Sequence, residues 1–223
     1  MSLKEFYTLY WEQYLKLEKE FMNTFDYVTF SPDNFKVYSS KYISLMLQIG
    51  SEADIGFKIL CKLKGKCGNN DSINTYFKSM QKNYIQIFDD EIIVEKLKLN
   101  LKPYAKWFMR KDNLIHNMFW WTSYNKIKHS RSSIVTIDGN KYDTYKLANL
   151  ENCLNGLAVL YDVLVNIYLH IKESETPNDE YCIPKSLIFK FKNDYIDESK
   201  IYKGFIIFDN DISRMEVHYA ERY

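Results

Sequence analysis

The stretch Trp120-Trp121-Thr122-Ser123-Tyr124-Asn125-Lys126-Ile127-Lys128-His129-Ser130-Arg131 decides how the chain is read. It concentrates two indoles, a phenol, an amide, an imidazole and three cations in twelve residues. Wound as a helix, it lines up Trp121, Tyr124/Asn125, Lys128/His129 and Ser132 at i, i+3/i+4 spacing. An imidazole then lies one turn from an amide, with an ammonium beside it and an indole behind. Such a stripe can hold an anion and move a proton. The competing reading is a solvated cationic helix face anchored by core tryptophans.

Outward from this helix, apolar residues recur at helical period along most of the chain. Leu3, Phe6/Tyr7, Tyr10, Tyr14, Leu17, Phe21 and Phe25 predict a first helix over 3–25. Ser31-Pro32-Asp33 reads as a cap with proline in the first turn. Tyr42, Leu45/Met46, Ile49, Ala53, Phe57 and Leu60 predict a second helix over about 39–64, ended by the breaker Lys64-Gly65-Lys66-Cys67-Gly68-Asn69-Asn70. Asp71 or Ser72 caps a third helix carrying Ile73, Phe77, Met80, Tyr84 and Ile87. Ile92-Ile93-Val94 fits a short strand or a helical turn, and Pro103 breaks what precedes it. The central helix is expected over roughly 114–130. Asp138-Gly139 signals a tight turn, and a last long helix is expected from about Thr144, burying Leu147 through Tyr168.

Beyond Thr176-Pro177 the pattern shortens. Ser186–Phe191 and Gly204–Phe208 are β-prone, with Asp209-Asn210-Asp211 as a turn. The expected organisation is therefore a mainly α bundle over 1–176 with a small β-containing appendage over 177–223.

Composition bounds the function classes. With 30 basic and 29 acidic side chains, any anion site must be a local patch, not a globally basic surface. Seven glycines and four prolines in 223 residues favour long helices over a turn-rich sandwich. No apolar run of spanning length and no signal peptide are read, which sets the expectation of a cytoplasmic protein without membrane attachment. Cys61, Cys67, Cys153 and Cys182 lack zinc spacing, so reduced thiols and no metal or other cofactor are expected. The chain carries no P-loop, GxSxG, GxGxxG or HExxH pattern.

Among candidate site residues His129 ranks first, because an imidazole titrates near neutrality and can serve phosphodiester chemistry. Asn125 can orient it or bind a phosphate oxygen, Lys126 and Lys128 supply cations, and Arg131 offers a forked phosphate contact. Glu52 and Asp54 are the candidate acids. Glu52 falls at the margin of an apolar stripe, where a carboxylate seeks a cation such as Lys126, Lys128 or His129; an exposed acid at the edge of a packed face is the alternative. Arg110 and His116 form a third, weaker pairing, and His170 and His218 read as structural.

Tyr124-Asn125-Lys126-Ile127-Lys128-His129 resembles the signature helix of the HEPN superfamily, whose catalytic members carry an arginine, four to six residues, then a histidine. Leu47-Gln48-Ile49-Gly50-Ser51-Glu52 is similar to its acid-bearing helix, and Leu147–Leu157 to the helix following the motif. The likeness covers roughly residues 35–172. It implies an antiparallel helical bundle, a homodimer with a site where two motif helices meet, and metal-independent RNA cleavage in phage defence, toxin–antitoxin pairs or stress response. RNA and an antitoxin-like protein are the partners so implied. By position His129 matches the histidine, Asn125 the polar residue, and Tyr124 stands where the arginine belongs. A phenol brings no positive charge at pH 7, so a non-catalytic module binding RNA or protein is the alternative the sequence leaves open.

Overall fold

The fold is seen in a computed structural model that describes residues 1–64, 68, 71–174 and 183–192, with the backbone of two further short strands. It is mostly helical with a few small antiparallel strands. The chain enters α1 (Leu3–Phe6) through a capping box between Ser2 and Glu5. A single π-helical turn, Tyr7–Trp11, then leads into α2 (Glu12–Met22). That wider turn changes which aromatic residue meets the core. Trp11 is fully buried and Tyr10 only half-buried, whereas uninterrupted helical spacing placed Tyr10 inside. The helix also stops at Met22 and tightens into a 3-10 turn, short of the expected residue 25.

α3 (Ser40–Leu63) begins at Ser39, whose hydroxyl accepts from the Tyr42 amide. Its expected stripe, Tyr42 through Leu60, is buried throughout. α4 (Ile73–Asn83) follows, shorter than the third apolar run suggested. Ile92–Val94 is a strand, β1, paired antiparallel with β2 (Leu99–Leu101) across a turn in which Lys98 is left-handed. β3 (Phe108–Met109) and β4 (Ile115–His116) form a second hairpin, turned at left-handed Asn113. This hairpin holds 115–116 extended, so α5 (Phe119–His129) starts five residues later than position 114.

β5 (Ile134–Ile137) and β6 (Asn140–Asp143) close on Asp138-Gly139, both at positive φ, as a two-residue hairpin turn. The expected start of the last helix at Thr144 is a 3-10 turn; α6 (Leu150–Ser174) begins after Asn149, whose side chain caps the Asn152 amide. α6 is long and apolar enough to cross a membrane by composition, but 78% of that window is buried inside the bundle. Its hydropathy is that of a core helix.

β7 (Phe189–Phe191) adds to β1, giving the order β2-β1-β7. Phe189 and Phe191 pack on Tyr161 of α6, and the Trp11 indole donates to the Pro184 carbonyl at 2.9 Å. Residues 183–192 are thus continuous with the helical core. β8 (Phe205–Ile207) and β9 (Glu216–His218) pair with each other. The turn expected at 209–211, and Cys67 and Cys182, lie outside the described residues, while Cys61 and Cys153 are buried.

α3 packs on α5 and α6 at close range, and glycine permits it. A Cβ on Gly50 would lie 2.3 Å from the Tyr124 ring, and one on Gly156 2.9 Å from Ile49. Gly50→Ala is accordingly expected to destabilise the fold by about 1–3 kcal/mol, measured as a fall in the urea midpoint at unchanged slope. An unshifted midpoint would mean that Tyr124 gives way freely.

Candidate functional site

The faces of α5 separate core from solvent. Trp120, Trp121, Ser123, Tyr124 and Ile127 are buried, whereas Lys126, Lys128 and His129 are exposed. Trp121 meets Phe57 of α3 edge-on at 6.0 Å, which fixes the helix against α3, and packs on Tyr124 of its own helix at 5.3 Å. The cations of the last turn also complement the negative end of the helix dipole. That contribution alone would account for a plain cationic face.

A hollow of about 690 Å³ opens beside the solvent side of α5. Asn125, Lys126 and His129 line it from the helix, and Asp54 lines it from α3. The Asn125 amide donates to the Trp121 carbonyl at 3.0 Å, which orients the side chain and leaves its own oxygen free to accept. The His129 ring and the Lys126 ammonium have no hydrogen bond or ion pair among the described residues. Both are available to a ligand.

Two further features of the hollow suit an anion with a hydroxyl nearby. The start of α4, at Ser72 and Ile73, faces it, and Ser72 makes no side-chain cap, so the Ile73 and Asn74 N–H groups are open. Asn117 lines it with a buried, unpartnered Oδ1, an acceptor awaiting a donor. Sequence spacing marked Ser72 only as a candidate helix cap and gave no sign of Asn117. They reach the hollow only through the packing of α4 and the hairpin before α5.

Other expected site residues lie elsewhere. Tyr124 is 5% exposed and packs its ring against Gly50 and Trp121, so it belongs to the core and not to the hollow. The position at which the resemblance implies an arginine is therefore a core position. Lys128 is exposed on the neighbouring stripe, with its ammonium 5.6 Å from the Tyr124 ring centroid. Arg131 is exposed beyond the helix end and does not line the hollow.

Glu52 is half-buried and none of Lys126, Lys128 or His129 pairs with it, contrary to the expectation from helix spacing; among the described residues it has no hydrogen-bond or ion-pair partner. Desolvation lifts its pKa above the ordinary carboxylate value. Asp54 is the acid at the hollow. It sits by the buried Tyr76 hydroxyl, whose pKa is raised by burial first and by the Asp54 charge second. Arg110 pairs with Asp112 at 3.0 Å, and His116 is held by the Lys106 carbonyl at 2.7 Å and Asp138 at 3.0 Å. Both members of that pairing are occupied locally. Compared with protein-family models, curated proteins and solved structures, the chain matches none.

Proposed function

We propose that the protein is an HEPN-like helical bundle acting on RNA in bacterial defence, toxin–antitoxin control or stress response. The hollow beside His129 receives a phosphodiester. One observation carries the reading: an unpartnered imidazole and an unpartnered ammonium share an open hollow with a carboxylate and an oriented amide.

Cleavage there follows from the groups present. The 2′-oxygen attacks the adjacent phosphorus while its proton passes to a base, Asp54 or His129. The bond from phosphorus to the 5′-oxygen breaks as that oxygen takes a proton from His129 or a solvent acid. The products are a 2′,3′-cyclic phosphate and a 5′-hydroxyl. Lys126 and the open N-terminus of α4 oppose the charge that builds on the phosphorane. Asp54 repels the phosphate while serving the proton, so Lys126 must do most of the anion binding. Lys128 and Arg131, free of the hollow, are placed to act on a strand or on the site of a second copy in a homodimer.

The inward-facing Tyr124 favours a second reading, a module that holds RNA without cutting it, because the hollow lacks an arginine. End-group analysis of a labelled single-stranded RNA separates the two. Cleavage predicts cyclic-phosphate ends that disappear in Lys126→Ala and Asp54→Asn. Binding alone predicts intact RNA and an affinity lost only in Lys126→Ala. Absence of both binding and cleavage in the folded wild type would refute the RNA reading altogether.

A further inference from the structure

A second hollow, of about 440 Å³, lies at the end of α5 opposite His129. Phe119 and Trp120 of α5, Tyr142 of β6, and Asn152 and Asn155 of α6 line it, and Lys106 reaches it from the loop after β2. Four independent features converge there.

α5 begins at Met118 without a side-chain cap, and Thr122 is the first amide to bond back, to the Met118 carbonyl at 3.0 Å. The preceding N–H groups form the positive end of an eleven-residue helix. The Lys106 ammonium, exposed, has no partner among the described residues. Of the two acids on the rim, Glu151 is paired with Lys36 and Asp138 is hydrogen-bonded to the His116 ring, against the ammoniums of Lys36, Lys102 and Lys106 that line the same hollow. An incoming anion therefore meets a net positive end.

The remaining features are shaped for a flat, hydrogen-bonding group. Phe119 and Tyr142, both half-buried, meet edge to face at 5.5 Å and 67°, presenting aromatic surface beside the helix end. Asn152, 3% exposed, and Asn155 donate to the Leu147 and Glu151 carbonyls at 2.8 and 2.9 Å. Their own oxygens accept nothing among the described residues. Trp120 is 3% exposed, and its indole N–H has no acceptor. A buried donor left without an acceptor is uncommon and calls for a partner.

We propose that this hollow binds a nucleoside phosphate. The phosphate lies at the α5 N-terminus with Lys106, and the base lies against Phe119 and Tyr142 within reach of the Asn152 and Asn155 oxygens. The assignment does not depend on the reading of the His129 hollow. Two sources supply the same chemistry, a free mononucleotide or one nucleotide unit of an RNA strand.

Calorimetric titration of the full chain with the four ribonucleoside 5′-monophosphates and with inorganic phosphate tests it. At least one nucleotide is expected to saturate, tighter than inorganic phosphate. Lys106→Glu, a surface change, is expected to weaken binding about tenfold, equivalent to about 1.4 kcal/mol, and Asn155→Leu to weaken it while altering the preference among bases. Competition by a short single-stranded oligoribonucleotide identifies RNA as the source, and its failure to compete identifies a free nucleotide. The proposal is overturned if no mononucleotide saturates the folded protein, if only inorganic phosphate binds, or if Lys106→Glu and Asn155→Leu both bind unchanged.

Discussion

Glu18→Ala is expected to cost the fold about 4 kcal/mol and to release residues 186–189 from the helical core. Glu18 is 1% exposed on α2, and its carboxylate is a knot rather than an ion pair. It accepts from the Tyr14 hydroxyl at 2.7 Å, from the Ser186 hydroxyl, and from the Leu187 and Ile188 amides at 3.0 and 3.3 Å. Alanine strips acceptors from several buried donors at once, and each unsatisfied donor costs about 1–3 kcal/mol before partial rescue by Ser186. Glu18→Gln keeps one carbonyl acceptor and should lose about half as much. Urea denaturation gives the total. Hydrogen exchange at Leu187, Ile188 and Phe189 should accelerate more than exchange in α3, and a uniform change across the chain would contradict a local anchor.

The second large effect is on pH. Asp162 of α6 is fully buried, accepts from Tyr104 at 2.6 Å, and lies beside buried Asp90. Burial first, and then the Asp90 carboxyl, hold its pKa well above the ordinary carboxylate value, while the Tyr104 hydroxyl works the other way. In the unfolded chain an aspartate ionises near pH ~4. Above that pH the native state holds a proton that the unfolded chain releases, so ν for the native state exceeds that of the unfolded one. Stability then falls as pH rises from about 4 towards the folded pKa, by roughly 1 kcal/mol or more per unit. Asp162→Asn removes the titration, retains an acceptor for Tyr104 and supplies an amide towards Asp90. Its stability relative to the wild type should improve as pH rises above about 4 and level off once the folded-state pKa of Asp162 is passed. A difference independent of pH would mean that Asp162 is already ionised in the native protein.

How much of this was legible in the sequence depended on what fixed each element. α3 was readable end to end, since Ser39 caps it locally and a single apolar stripe repeats at helical period to Leu60. The first helix was readable in place but not in facing, because the π-turn that turns Trp11 inward is set by tertiary packing on Pro184 and Tyr161. α5 was found but begun too early, since the pairing of Ile115 and His116 with β3 is a long-range choice that periodicity does not carry. β7 was readable as β-prone, whereas its partner, β1, lies about a hundred residues earlier in the chain.

The candidate site divides in the same way. Asn125, Lys126 and His129 share a hollow because i, i+1 and i+4 spacing on one helix is a local property. Tyr124, one residue earlier, falls on the adjacent face and is claimed by the Gly50 contact, which no spacing argument on α5 alone reveals. Asp54 rather than Glu52 reaches the hollow, since two residues along α3 change the direction by more than half a turn. Asn117 and Ser72 come from other elements; Ser72 was legible only as a helix cap, and Asn117 left no signal in the sequence.

The proposed function requires His129 to meet an RNA phosphodiester in the open hollow at the end of α5. Its most direct measurement is the single-turnover cleavage rate of a labelled single-stranded RNA in the presence of a metal chelator, comparing the wild type with a His129→Ala variant shown to be folded. Chelator-resistant cleavage by the wild type is expected, with a loss of about a hundredfold or more in the variant. Equal rates in the two proteins, or activity that vanishes on chelation, would contradict it.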